Sequence, residues 1–245
     1  MKIIFHEKYF DVYSADPASA EGRLDSPYNM LKETFEFVKP EPAREADLLL
    51  VHSQAHVDQI TRDANLYEVA SLAVGGAILA SEIALAAEPA FGLIRPPGHH
   101  ASPNSCWGFC YFNNIAIAVT RLIETRRIGK AVIVDFDLHF GDGTSNTFST
   151  DSDVLYHHMG SGAEDLKNFL STAENVDMLA VSAGFDRAVA DWGGTLSDED
   201  YERIGEVLKR FSEDRSHGRR FAVLEGGYNH KTLGMSIHRF LKGFA

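Results

Sequence analysis

The stretch KAVIVDFDLHFGDG, residues 130–143, decides how this chain is read. Ala131 to Val134 is an unbroken run of small and branched apolar side chains, the pattern of a strand buried on both faces of a sheet. Two sets of side chains then alternate. Val132, Val134, Phe136 and Leu138 share one parity, and Asp135, Asp137 and His139 share the other. The period of two in a strand predicts that both carboxylates and the imidazole lie on one side, the aspartates about 7 Å apart. Like charges that close in a partly buried place repel strongly, and a divalent cation removes the repulsion.

Outward from this stretch, β-type apolar runs recur at 1–6, 90–96, 153–158, 177–185 and 220–227. Between them lie helical patterns at 67–87, 112–127 and 198–214. Strands that are apolar almost throughout, separated by helices, predict an α/β protein with a parallel β-sheet sandwiched by helices. No repeat, low-complexity tract or long linker interrupts the chain, so residues 1–245 are read as one catalytic domain. In such sheets ligands bind outside the carboxyl ends of the strands, which is where the chemistry is expected.

Four strand ends carry polar residues that a core does not need. AFGLIRP (90–96) runs into His99 and His100, the 130–139 run ends in Asp135, Asp137 and His139, DMLAVSAGFD ends at Asp186, and FAVLEGGY ends at Tyr228. Singly, each has a bland reading: a solvated histidine pair, a helix-capping aspartate, a rim tyrosine. Together, Asp137, His139 and Asp186 make three ligands with an open position for water, the arrangement of a catalytic zinc site. A binuclear site needs further carboxylates, and the next acid after Asp186 is Asp191, past the strand end. One metal is therefore expected.

Composition narrows the partners. Hydrophobic residues make up 44% of the chain and charged ones 24%, and 35 acidic against 23 basic residues leave a net charge of −12. Such a surface repels phosphate backbones and anionic membranes, so neither nucleic acid nor a membrane is expected as a partner. Two cysteines, Cys106 and Cys110, build neither a disulfide framework nor a four-ligand zinc ribbon. The start MKIIFHEKYF meets charge too soon for a secretory signal, and the most apolar stretch, LAVGGAILASEIALAAE, is broken by Glu82. A soluble, cytoplasmic protein is the expectation.

The segments RPPGHHA, GFCYFNN, DFDLHFGDGT, SAGFD and LEGGY, in this order, resemble the histone deacetylase superfamily, which includes acetylpolyamine amidohydrolases and acetoin-utilisation proteins. The resemblance runs from about residue 23 to 228 and implies the arginase/deacetylase fold and zinc-dependent hydrolysis of an acetyl amide. It assigns the metal to Asp137, His139 and Asp186, with ferrous iron as the alternative ion. His99 and His100 would face the attacking water, held by Asp135 and Asp142. Tyr228 would donate to the acetyl oxygen, Gly108 and Phe109 would line the substrate channel, and Arg23 would lie beneath the site. A structural potassium ion would bind backbone carbonyls of Asp135, Asp137 and His139. The implied substrate is an acylated amine, acetyl-lysine or an acetylpolyamine, and a homo-oligomer is compatible with the pattern.

The chain departs from that pattern in three places. Phe140 stands where a second histidine is common, a run from Asp16 to Glu21 replaces a His-Pro-Glu, and residues 158–177 are too short to carry the usual second wall of the channel. A shallower pocket follows, unless a partner subunit completes it. His52 and His56 are read as a solvated helix start, Cys106 and Cys110 as packed thiols, and Ser197 to Asp200 as a helix amino end. Two rival readings remain: a non-catalytic acyl-amine or metal-binding protein on the same fold, and a ureohydrolase-like enzyme with a manganese pair.

Overall fold

The apolar runs become strands because helices cover both of their faces. The computed structural model describes residues 1–245. Its strands are β1 (Lys2–Ile4), β2 (Glu36–Val38), β3 (Ala90–Gly92), β4 (Ala131–Asp135), β5 (Val154–His158), β6 (Met178–Ala183) and β7 (Arg220–Leu224). All seven are parallel, in the order β2-β1-β3-β7-β6-β4-β5. Every residue of β3, β4, β6 and β7 is buried, as the continuous apolar runs predict.

The helices are α1 (Asp25–Leu31), α2 (Glu45–Leu48), α3 (Gln54–Ile60), α4 (Ala64–Ala84), α5 (Asn114–Glu124), α6 (Asp142–Thr147), α7 (Ala163–Ser171), α8 (Asp198–Arg215) and α9 (Leu233–Phe244). α4 packs on α5 and over β1, β3 and β7. α8 and α9 pack together on the other side, where Phe240 meets Phe136 at 5.1 Å and Phe91 at 6.4 Å between ring centroids. The acidic run before α8 is a capping box, with Ser197 and Asp200 each bonding the other's backbone N–H.

Three features differ from the sequence reading or were absent from it. The strand read over 130–139 ends at Asp135, and the backbone beyond it turns on its own carboxylates. Asp135 Oδ1 accepts from Asp137 N at 3.0 Å, and Asp137 Oδ1 accepts from His139 N at 2.9 Å. Two successive Asx turns, rather than strand pleating, therefore bring these side chains to one side. Second, β2 has no apolar run to announce it: Glu36 is exposed, and the edge strand exists because β1 offers it a ladder. Third, α4 is long and apolar enough to cross a membrane by length and composition, with Glu82 inside it; more than half of its most apolar window is buried in the fold.

Candidate active site

The order β3-β7-β6-β4 makes neighbours of four strands that lie far apart in the chain. Their carboxyl ends, leading to His99, Tyr228, Asp186 and Asp135, open on one region as open α/β sheets do. Asp137, Asp186 and His139 converge there, one ligand atom of each lying within 4.8 Å of the others. His139 Nδ1 lies 3.3 Å from Asp137 Oδ1 and 3.0 Å from Asp186 Oδ2. Asp137 is fully buried, and its Oδ2 accepts from Gly226 N at 2.8 Å. A side chain at Gly226 would put its Cβ 2.5 Å from that oxygen, so this close approach admits only glycine.

The electrostatics of this group call for a cation. Burial and the neighbouring Asp137 carboxylate push Asp186 up to about 6. Its Oδ2 is buried without a well-formed hydrogen bond: His139 Nδ1 lies 3.0 Å away but is misaligned for one. The carboxylates of Asp137 and then Asp186, against the opposing effect of burial, pull His139 up to about 10. Two buried carboxylates thus draw a proton onto the imidazole where three metal-ligand atoms point at one place. An orphaned carboxylate oxygen in a two-oxygen, one-nitrogen donor set fits a divalent ion such as zinc.

Beside this group stand the two histidines, both buried. His99 Nδ1 lies 3.0 Å from Asp135 Oδ2, and His100 Nδ1 lies 2.7 Å from Asp142 Oδ1. Burial opposes charge on His99, but the Asp137 and Asp135 carboxylates hold its pKa well above the ordinary imidazole value. His100 goes the other way: burial and the charge on His99 lower it, against the support of Asp142. Environments that push two adjacent histidines apart in this way separate a proton holder from a proton acceptor.

Tyr228 closes the opposite side. Its ring stacks on Trp192 at 4.0 Å, meets Phe109 edge-on at 5.8 Å and lies 5.3 Å from the Arg23 guanidinium. Burial raises its pKa, so the phenol stays protonated and able to donate. Arg23 is buried, with Nε donating to Gly227 O at 2.8 Å and Nη2 to Glu225 O at 2.7 Å, which braces the turn carrying Tyr228. The cavity, about 120 Å³ and partly open to solvent, is lined by Pro97, His99, His100, His139, Tyr228, Gly108 and Phe109, with Trp107 and Trp192 among its walls. No residue from 158–177 lines it; that stretch carries α7, packed on α8.

Several contributors escaped the sequence reading. The Trp107 ring lies tilted against His100, 4.0 Å between centroids, and its Nε1 donates to Asp142 Oδ2 at 2.9 Å, so it braces both members of that pair. Tyr156 donates to Asp135 Oδ2 at 3.0 Å. Buried Glu225 accepts from Gly98 N at 2.7 Å, His99 N at 3.2 Å and Ser182 Oγ at 3.1 Å, tying three strand ends together. Burial, against the opposing charge on His99, pushes it up to about 7. Its place in the LEGGY motif beside Tyr228 was the available signal. Asp191 Oδ2 accepts from Tyr228 N and Asn229 N, both at 2.7 Å, so it holds the tyrosine turn rather than a second metal.

Two further points bear on the sequence reading. His52 and His56 are buried, not solvated. His52 Nε2 accepts from Asn113 N at 2.9 Å and His56 Nε2 lies 2.8 Å from Tyr111 O, and burial takes His52 down to about 4. Two of the carbonyls expected to cradle potassium are engaged by the chain itself. Asp135 O accepts from Met159 N at 2.7 Å, and Asp137 O from Arg187 Nε at 2.9 Å. Cys110 is a packed thiol whose pKa burial raises well above the ordinary value.

A parallel sheet covered on both faces, with its polar cluster at these strand ends, is the arginase/deacetylase fold. The HD domain of HDA15 superposes with a TM-score of 0.83, covering 99% of this chain and 88% of that one at 21% identity. The histone deacetylase domain matches residues 18–161. A "Probable deacetylase" of Methanothermobacter thermautotrophicus is 31% identical over 84% of this chain and 78% of its own length. The "Histone deacetylase-like amidohydrolase" of Pseudomonas aeruginosa is 27% identical, over 82% of this chain and 69% of its own. "Polyamine deacetylase HDAC10" of Danio rerio is 30% identical over 84% of this chain, which spans 37% of that protein. The chain belongs to the histone deacetylase family. Its relatives support a deacetylase or amidohydrolase function.

Proposed function

We propose that this chain is a zinc-dependent hydrolase that removes acetyl, or a similar small acyl group, from an amine such as acetyl-lysine or an acetylpolyamine. One observation carries the reading: His139, whose ligand atom clusters with those of Asp137 and Asp186, lines one cavity with two carboxylate-paired histidines and Tyr228. Asp137, His139 and Asp186 would hold the ion, which supplies a Lewis acid for the acyl carbonyl and eases deprotonation of the attacking water.

His100 is the base. Its lowered pKa keeps it neutral near pH 7, and Asp142 accepts at Nδ1, which leaves Nε2 to take the proton of the water. His99, oriented by Asp135, positions that water. The Tyr228 hydroxyl donates to the carbonyl oxygen as it gains charge, ordinarily the largest single contribution to such a reaction. The amine nitrogen cannot leave as an anion, so the protonated histidine returns its proton to it as the C–N bond breaks. Gly108 and Phe109 flank the acyl chain, and the net charge of −12 suits a cationic amine.

The test is turnover of the zinc-loaded protein on acetyl-lysine peptides, acetylated polyamines and longer acyl-lysines, with Asp186→Ala as control. Hydrolysis that disappears in the control supports the reading, and the best substrate names the amine class. One bound zinc without turnover on any of them overturns it in favour of a binding protein on this fold.

A further inference from the structure

Arg187 follows Asp186 in the chain, yet it is not among the residues that line the cavity. Its guanidinium has no carboxylate partner; it is held by three main-chain carbonyls and an imidazole. Nε donates to Asp137 O at 2.9 Å, Nη1 to Gly160 O at 2.9 Å, and Nη2 to Met159 O at 2.8 Å and His158 Nε2 at 3.1 Å. Three carbonyl oxygens aimed at one place carry dipoles that repel one another unless a cation lies between them. The planar fork of arginine meets several acceptors at once, which a point-charge ammonium does not. His158 must accept at Nε2, and is therefore neutral.

These bonds join places that the site needs in register. Asp137 and Asp186 are members of the ligand group, the first gripped through its carbonyl and the second the covalent neighbour of Arg187. Residues 158–160 close the end of β5, and Met159 N reaches back to Asp135 O. We propose that Arg187 is a positioning residue, a built-in cation that clamps the main chain of Asp137 to the 158–160 turn. The ligand group then keeps its shape without a loose monovalent ion at that place. The proposal rests on the metal reading above, and its consequence is specific to this side chain.

The experiment measures zinc affinity by chelator competition and thermal unfolding, in potassium, sodium and choline salts of equal ionic strength. For the wild-type chain both readouts are expected to be the same in all three salts. Arg187→Ala is expected to bind zinc about 10–100-fold more weakly, the usual cost of losing an outer support of a metal ligand, with kcat falling and KM little changed. Guanidinium at sub-denaturing concentration should restore much of that affinity in Arg187→Ala while leaving the wild type unchanged. Arg187→Lys keeps the charge but loses the fork, and should lie between the two.

Wild-type zinc affinity that rises selectively with potassium overturns the proposal, as does an Arg187→Ala variant with wild-type affinity. If Arg187→Ala does not fold, Arg187→Lys and the wild-type salt comparison decide. A wild type that binds no zinc overturns the metal reading itself, an outcome distinct from zinc binding that ignores Arg187.

Discussion

Replacing Tyr228 by phenylalanine removes one oxygen and nothing else the fold uses. The ring keeps its stack on Trp192 at 4.0 Å, its edge contact with Phe109 at 5.8 Å and its place 5.3 Å from Arg23. The turn that carries it is held through its backbone N–H, bonded to Asp191 at 2.7 Å, which the substitution does not touch. Stability should therefore change by no more than about 0.5 kcal/mol. Catalysis should change far more. A phenol kept protonated by burial is the donor assigned to the developing oxyanion, and losing one such donor costs about 2.7–4 kcal/mol, roughly a hundred- to a thousandfold in kcat. The assay is steady-state turnover of Tyr228→Phe on the best substrate of the panel, beside zinc stoichiometry and thermal unfolding. A variant that folds, binds one zinc and turns over within a few fold of wild type refutes the role given to this hydroxyl.

Three other outcomes follow from the same geometry. Asp142→Asn removes the carboxylate that holds the pKa of His100 up, so His100 should titrate lower still. The acid limb of kcat/KM then moves to lower pH while the maximum falls; a limb that moves up contradicts His100 as the base. Gly108→Ala puts a Cβ 2.4 Å from His100 Cδ2 at a backbone φ of +60°, so activity should fall sharply, with about 1–2 kcal/mol lost to left-handed strain. Wild-type activity in that variant would show that His100 need not stay where it is. Zinc added at about 100 times its dissociation constant should stabilise the wild-type fold by about 2.7 kcal/mol, a gain that chelator removes and Asp186→Ala lacks. Equal zinc responses in thermal unfolding of the two proteins would show that the ion binds elsewhere.

Much of this architecture is legible in one dimension because buried parallel strands must be apolar throughout. A polar residue at the end of such a run, as at Asp135, Asp186 and Tyr228, therefore stands out. Helix α8 was legible for the same kind of reason: its acidic amino end and helical apolar spacing are local features. Strand β2 was not, since a three-residue edge with an exposed glutamate has no pattern of its own. Helix α9 carried a signal that went unread: Leu233, Ile237, Phe240, Leu241 and Phe244 lie at helical spacing and are all buried. His52 and His56 were misread because their acceptors and donors, at Ser102, Asn113 and Tyr111, come from remote loops.

The sequence by itself determined the fold class and the residue types of the site, since both rest on local periodicity and on chemistry that each motif carries within a few residues. Only the tertiary structure decided which atoms face one another. The order β3-β7-β6-β4 makes neighbours of motifs that the chain keeps apart. It sets Glu225 across three strand ends, Asp191 under the Tyr228 turn, Trp107 and Trp192 as walls, and Arg187 on the Asp137 carbonyl, one of those expected to hold an ion. Hydrogen bonds and buried charges act over a few ångströms of space, and a chain has no spatial neighbours until it folds.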